Sequence, residues 1–164
     1  MRTPLPRGAG HPDLVCTLIS SVLVGAASGL RSQMGVAAVV LRAEKDGLPP
    51  VLRTTAAART VVAAAAGELV VDKSPRAVSR LRPGPLAARI VLGAIAGGLL
   101  AATKKGPVVP AAAVASAAAV LAAKVGHDLR ARAARSVPDR AVAVVEDGVA
   151  LGLAAAGTRP ASPR

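Results

Sequence analysis

Residues Leu86 to Ala102 read LAARIVLGAIAGGLLAA, and this run sets the class of the protein. It contains one charged residue, Arg89, among aliphatic side chains and glycines. As a helix the run would extend about 26 Å, at about 1.5 Å per residue, against a bilayer core roughly 30 Å thick. The run therefore predicts a helix that crosses a membrane.

Other apolar runs of similar length lie on both sides of it, separated by charged or proline-rich segments. The complete set is Leu14–Leu30, Thr55–Val71, Leu86–Ala102, Val108–Ala123 and Asp139–Gly157. A shorter apolar piece, Met34–Leu41, cannot cross a bilayer alone, so we expect a re-entrant or interfacial helix, or a continuation of the first span. Because alanine contributes little to insertion, the number of spans ranges from four to six. The sequence predicts an all-α integral membrane helical bundle of about five spans.

The two ends of the chain differ in composition from the spans. Residues 1–13 are basic and rich in proline, which predicts a disordered lead, and residues 158–164 predict a disordered tail. Between them, residues 14–157 would form one membrane-embedded helical domain. A basic segment before an apolar run is also typical of a signal peptide, here with cleavage after Ala26. The further apolar runs favour an uncleaved first span.

The composition suits lipid better than water as the surrounding solvent. None of the 164 residues is Phe, Tyr or Trp, and the net charge is +12, from 21 Lys and Arg against 9 Asp and Glu. Alanine, valine and leucine exclude water poorly, whereas small residues suit close helix packing in a bilayer. Most basic residues fall between the apolar runs, where they would engage lipid head groups. Because no aromatic residue could stack a base, we expect no nucleic-acid partner. A soluble basic helical protein is the less favoured alternative.

Pairs of glycines four residues apart occur in several of the apolar runs. Such pairs lie on one helix face and allow a neighbouring backbone to approach closely. The pairs are Gly25 with Gly29, Gly93 with Gly97, and Gly148 with Gly152. They predict tight helix packing, either within one chain or between the subunits of a homo-oligomer.

Charged residues inside or beside the apolar runs are the best candidates for a site. Each costs about 2.5–3.5 kcal/mol at the centre of a membrane helix unless it is paired or hydrated. If the spans alternate in direction, these residues share one half of the bundle, on the same side as the N-terminus. The predicted polar cluster comprises Glu68, Asp72, Lys73, Arg80, Arg89, Glu146 and Asp147.

Two interpretations of this polar cluster are open. Glu68 and Asp72 share one helix face and would attract Arg89, which makes the cluster an ion-pair clasp between helices. Acids outnumber bases among the charges at membrane depth, so loop arginines, a protonated acid or a bound cation must neutralise the excess. A protonated acid or a bound cation would instead make the cluster a proton or ion pathway.

The sequence contains no arrangement typical of catalysis or of metal binding. A Ser, His and Asp set, a Cys and His pair and a phosphate-binding loop are all missing. Cys16 stands alone in the first run, and His11 and His127 lie far apart. We expect no cofactor, no metal ion and a non-enzymatic function.

One part of the chain resembles a known protein family. The residues that carry the resemblance are Gly67, Glu68, Asp72, Lys73, Pro75, Arg80, Pro83, Gly84, Pro85, Leu86, Arg89 and Gly93, with Gly29–Arg31 and Glu146–Asp147 as flanking marks. This pattern resembles the bacterial membrane-protein family known as domain-of-unknown-function family 4126, over most of Leu14 to Gly157. The resemblance implies a compact multi-span helical protein of the bacterial cytoplasmic membrane, and it brings no assigned activity.

The functional expectation is a small multi-pass protein whose basic loops engage lipid head groups or a membrane-protein partner. The alternative is a small transporter or channel in which Glu68 and Glu146 act as proton or cation ligands. Ion flux across a vesicle membrane distinguishes the two.

Overall fold

The computed structural model describes residues 11–71, 82–133 and 136–159, and every regular element within these ranges is a helix. Two 3-10 turns, Lys45–Gly47 and Pro50–Arg53, follow the second helix. The α-helices are α1 His11–Leu30, α2 Met34–Arg42, α3 Thr55–Val71, α4 Pro83–Thr103, α5 Val108–Ala133 and α6 Asp139–Gly157. The all-α class expected from the sequence is confirmed.

Three of the described helices are long and apolar enough to span a membrane. They are α1 from Asp13 to Leu30, α4 over its whole length and α5 over its whole length. These three helices pack against one another and form the centre of the molecule, with α6 packed on α1 and α3 packed on α2. Helix α3 is shorter, with 17 residues, and α6 carries charges in its first half.

Glycines bring the central helices close together. A Cβ on Gly25 would overlap the carbonyl oxygen of Ala115, and a Cβ on Gly29 would overlap that of Ala119. On α4, a Cβ on Gly97 would overlap the side chain of Ala115 in the same way. Because these positions lack side chains, α5 packs almost backbone to backbone against α1 and α4.

The remaining predicted glycines fall into two groups. A Cβ on Gly93 would lie 2.9 Å from the Cβ of Ala119, so Gly93 shares the α4–α5 contact. A Cβ on Gly148 or Gly152 would meet no described atom within 4 Å. This pair therefore faces away from the part of the chain that the structure describes.

Helix α2 folds back against α1 instead of continuing it. A Cβ on Gly35 would overlap both the Val24 carbonyl oxygen and the Ser28 hydroxyl, so the two helices touch at this glycine. Val36, Val39 and Val40 of α2 are buried in the core, together with residues of α1 and α4. Burial of these valines explains why a nine-residue helix is held in place.

The segment after α2 continues to the opposite end of the molecule. Gly47 packs against Thr103 at the end of α4. Lys104, the next residue, donates a hydrogen bond from Nζ to the Ser20 hydroxyl in the first half of α1, at 2.8 Å. The chain therefore returns, through α2 and the residues that follow it, to the end where α1 begins.

This return corrects one expectation from the sequence. Of the predicted cluster, the described residues Glu68, Arg89, Glu146 and Asp147 share one half of the bundle, but that half lies at the C-terminal end of α1, not at its N-terminal end. Glu68 accepts hydrogen bonds from Ser32 and Gln33, just beyond the last residue of α1. The expectation was wrong because it assumed that α3 runs in the opposite direction to α1. The chain instead returns through α2 and the segment after it, so α3 starts at the end where α1 starts.

Helices α1, α4 and α5 extend beyond the predicted runs, whereas α3 and α6 have the predicted bounds. Helix α1 starts at His11, inside the expected lead, and Pro12 and Asp13 suit a first helical turn. At the other end, Thr158, the first residue of the predicted tail, is buried, and its hydroxyl donates to the Ala154 carbonyl oxygen at 2.8 Å.

Candidate functional site

The site is built around the break between α1 and α2. Helix α1 ends at Leu30, and the chain turns through Arg31, Ser32 and Gln33 before α2 begins. A helix end leaves carbonyl groups without partners on one side of such a break and amide groups without partners on the other. Where the backbone is buried or in lipid, side chains from other helices must satisfy these groups.

Glu68 of α3 satisfies the amide side of the break. Its carboxylate accepts hydrogen bonds from the Ser32 amide at 2.8 Å, the Ser32 hydroxyl at 2.7 Å and the Gln33 amide at 3.0 Å. A negative charge at this position also interacts favourably with the N-terminal dipole of α2. Glu68 therefore acts as an N-terminal cap supplied by a different helix.

Arg89 of α4 satisfies the carbonyl side. One guanidinium nitrogen donates to the Gly29 carbonyl oxygen at 2.5 Å and to the Leu30 carbonyl oxygen at 3.2 Å. Another nitrogen lies 3.8 Å from a carboxylate oxygen of Glu68. The side chain of Arg89 is buried, and it links both halves of the break to α3 and α4.

Arg31 fixes the turn itself to α6. Its guanidinium group donates to the Asp147 carboxylate at 2.5 Å through both Nε and Nη2. Arg31 is only 2% exposed, whereas the Asp147 side chain is half-buried, so a buried guanidinium pairs with a partly exposed carboxylate. A buried guanidinium needs such a partner, since an uncompensated charge in the interior costs several kcal/mol.

Glu146, beside Asp147, completes the group of charges. One of its carboxylate oxygens lies 3.6 Å from the Arg130 guanidinium on α5. Arg130 also bonds Asp139 at the start of α6, at 2.7 and 2.8 Å. A Cβ on Gly126 would lie 3.1 Å from the Glu146 carboxylate, so this glycine leaves room for it against α5.

We call this set of paired charges the break cluster. Its described members are the cations Arg31, Arg89 and Arg130 and the buried or half-buried acids Glu68, Glu146 and Asp147. Arg31 and Arg130 were not in the predicted cluster, and each pairs with one of the acids that the sequence predicted. Arrangements of this kind hold helices together, because each acid has a fixed cation or backbone donor.

The predicted cluster residues are only partly described. Glu68 and Arg89 lie together as a pair, whereas Glu146 and Asp147 pair with arginines that were not predicted. The expected residues Asp72, Lys73 and Arg80 lie outside the described residues.

The two missed arginines left different signals in the sequence. Arg31 stands alone between two apolar runs, and Arg130 follows Gly126 by four residues, on the helix face that meets Glu146. The first signal could have been found from the sequence, because a lone arginine between apolar segments needs a partner.

A second, smaller polar contact lies at the opposite end of the molecule. Lys104 follows α4 and donates from Nζ to the Ser20 hydroxyl at 2.8 Å. Partial burial lowers the pKa of Lys104 below its ordinary value, and the nearby Cys16 thiol opposes this effect to a smaller extent. The contact ties the α4–α5 turn to the first half of α1.

Among the described residues, no group of three or more His, Cys, Asp or Glu side chains is placed to hold a metal ion.

Comparison with known proteins gives no relative from which a function could be transferred. No family model, no curated protein and no solved structure matches this chain.

Proposed function

We propose that this chain is a multi-pass protein of the bacterial cytoplasmic membrane without enzymatic activity. In this proposal the break cluster is a structural clasp, and the basic loops engage lipid head groups or a membrane-protein partner. The single observation that carries the clasp is the bonding of Glu68, whose carboxylate is held by two backbone amides, a hydroxyl and Arg89.

The membrane part of the proposal is supported by the outer surface of the three apolar helices. Large aliphatic side chains point outward there, for example Val109 at 78% exposed, Leu121 at 65% and Ile19 at 56%. Many exposed large aliphatic side chains along helices of spanning length suit a surface that is covered by lipid or by a partner. Lipid is the simpler explanation for this exposed aliphatic surface, because three of the helices are long enough to span a membrane.

The proposed bundle has about five spans, with α3 and α6 crossing beside the three apolar helices. Helix α2 and the segment after it would carry the chain back along α1, from the break cluster to the side where α1 begins. The bacterial assignment rests on the family resemblance of the central motif around Glu68 and Arg89. The outward-facing pair Gly148 and Gly152 would suit contact with a second copy of the chain.

A vesicle flux assay tests the clasp. Purified protein is reconstituted into vesicles loaded with a pH-sensitive or cation-sensitive dye, and ion gradients are applied. We expect no flux above that of protein-free vesicles, for the parent protein and for Glu146→Gln alike. Flux in the parent that is lost in Glu146→Gln would overturn the structural role.

The second candidate function is a small proton or cation transporter. The break between α1 and α2 favours it, because transporters often bind their ions where a helix is interrupted and backbone groups face a cavity. In this candidate Glu68 and Glu146 would exchange their arginine partners for a proton or a cation during transport. The same flux assay decides between the two functions.

A further inference from the structure

A groove lies between the end of α2 and the first turns of α3, away from the break cluster. Its volume is about 340 Å³. The lining residues are Leu41, Thr55, Ala58, Arg59, Val62 and Ala63. A groove of this volume is in the range of sites that bind small molecules, about 300–1,000 Å³.

The floor of the groove is apolar because of the residues that α3 places there. Ala58 and Ala63 are small, so they leave space, while Val62 and Leu41 form apolar walls and are each 48% exposed. Exposure of such an apolar surface to water is unfavourable in free energy, and an alkyl chain that covered the surface would remove this cost. The shape and the lining therefore suit an acyl chain.

The charge at the groove is positive. Arg59 is the only charged residue in the lining, and Arg42 directly follows Leu41. Both arginines are exposed, and neither makes an ion pair with any residue that the structure describes. Arginine binds phosphate through two parallel hydrogen bonds, and the N-terminal dipole of α3 adds positive potential at this end.

We propose that this groove binds an anionic phospholipid. One acyl chain lies along Ala58, Val62 and Leu41, and the lipid phosphate is held by Arg59 with Arg42 beside it. The site rests on the proposed membrane location, and it gives the general engagement of lipid head groups a defined position. It is separate from the break cluster and does not depend on how that cluster functions.

Native mass spectrometry of the full chain in a mild detergent tests the lipid site. Phosphatidylglycerol and phosphatidylcholine with identical acyl chains are titrated separately, and the fraction of protein that carries one lipid is measured. We expect tighter binding of phosphatidylglycerol. Arg59→Gln should weaken that binding about fivefold, the effect expected for one basic residue at an anionic lipid surface. Ala58→Leu should weaken the binding of both lipids, because it fills the groove.

The matched control is Arg140→Gln, an exposed arginine at the start of α6 that makes no ion pair with a described residue. It removes the same charge at the other end of the molecule and should leave lipid binding unchanged. Equal losses for Arg59→Gln and Arg140→Gln would overturn the site, and so would equal affinity for both lipids. Binding of soluble glycerol phosphate as tightly as the lipid would also overturn it, since the acyl chain would then contribute nothing.

Failure of the lipid site is distinguishable from failure of the membrane proposal. If the protein stays monomeric in buffer without detergent, the proposed membrane location is wrong, and the lipid site is wrong with it. A protein that requires detergent but shows no effect of Arg59→Gln would remove the lipid site alone.

Discussion

Arg89 joins three helices of the molecule with one side chain. Its guanidinium bonds the Gly29 and Leu30 carbonyl oxygens, lies beside Glu68 and extends from α4. Lysine could not replace it, because a single ammonium group lacks the planar set of donors that reaches several acceptors at once. The stability of the break therefore depends on a few charged side chains and not on apolar contacts alone.

The substitution Glu68→Gln tests this dependence. It removes the negative charge beside Arg89 and weakens the bonds to the Ser32 and Gln33 amides. We expect it to lower the free energy of unfolding by about 2–4 kcal/mol. Because the chain has no Trp or Tyr, unfolding in detergent is best followed by far-UV circular dichroism. Glu44→Gln is the control, since Glu44 is exposed, and an equal loss in both variants would contradict the cap assigned to Glu68.

Lys104 gives the protein a specific pH dependence. Its folded-state pKa lies below the unfolded value of 10.5, so the unfolded chain binds more protons between these two pH values. Stability contributed by this residue therefore rises as the pH increases through that window. As the pH increases towards 10.5, we expect the melting temperature of Lys104→Gln to rise less, or to fall more, than that of the parent. A parent and variant with parallel pH profiles would contradict the burial of Lys104.

At the scale of elements, the sequence predicted some helices well and one poorly. The run from Leu86 to Ala102 lies within α4, because an apolar run of spanning length has few alternatives to a helix. The return of α2 was not predictable from length, since it depends on the contact of Gly35 with Val24 and Ser28. Such a contact depends on how two helix surfaces fit together. The sequence alone does not show which surfaces meet.

The glycines of α1 provide a prediction for this scale. Gly25→Val would place a branched side chain on the Ala115 carbonyl oxygen, so α1 and α5 would have to move apart. We expect a loss of about 1–3 kcal/mol in unfolding free energy, as for other overpacked sites. Gly148→Val is the control, because a Cβ there meets no described atom within 4 Å. Equal destabilisation of the two variants would show that helix propensity, and not close packing, sets the cost.

The joint between α1 and α6 depends on the contact between the buried Arg31 and the half-buried Asp147. A double-mutant cycle with Arg31→Gln and Asp147→Asn should give a coupling energy of about 1–3 kcal/mol, since the side chains are in contact. The double variant should lose less stability than the sum of the losses of the two single variants. A coupling energy near zero would mean that the two side chains do not meet in the folded protein.

For the whole molecule, the placement of charge follows from the path of the chain. Because α2 and its following segment return to the start of α1, the ends of α3 and α5 and the starts of α4 and α6 all gather at the far end of α1. The sequence predicted that Glu68, Arg89, Glu146 and Asp147 share one half, because helix ends of alternating spans coincide. The sequence analysis placed these residues at the wrong end of the bundle and left Arg31 out of the cluster. Both errors arose because the direction of α2 was not known from the sequence.

The central claim is that lipid surrounds these alanine-rich helices, and alkaline extraction of membranes tests it most directly. Membranes from cells that express the chain are washed at high pH, which removes peripheral proteins and leaves integral ones in place. We predict that the protein stays in the membrane pellet, together with an integral marker. Release into the supernatant, as a folded helical protein that needs no detergent, would contradict the claim.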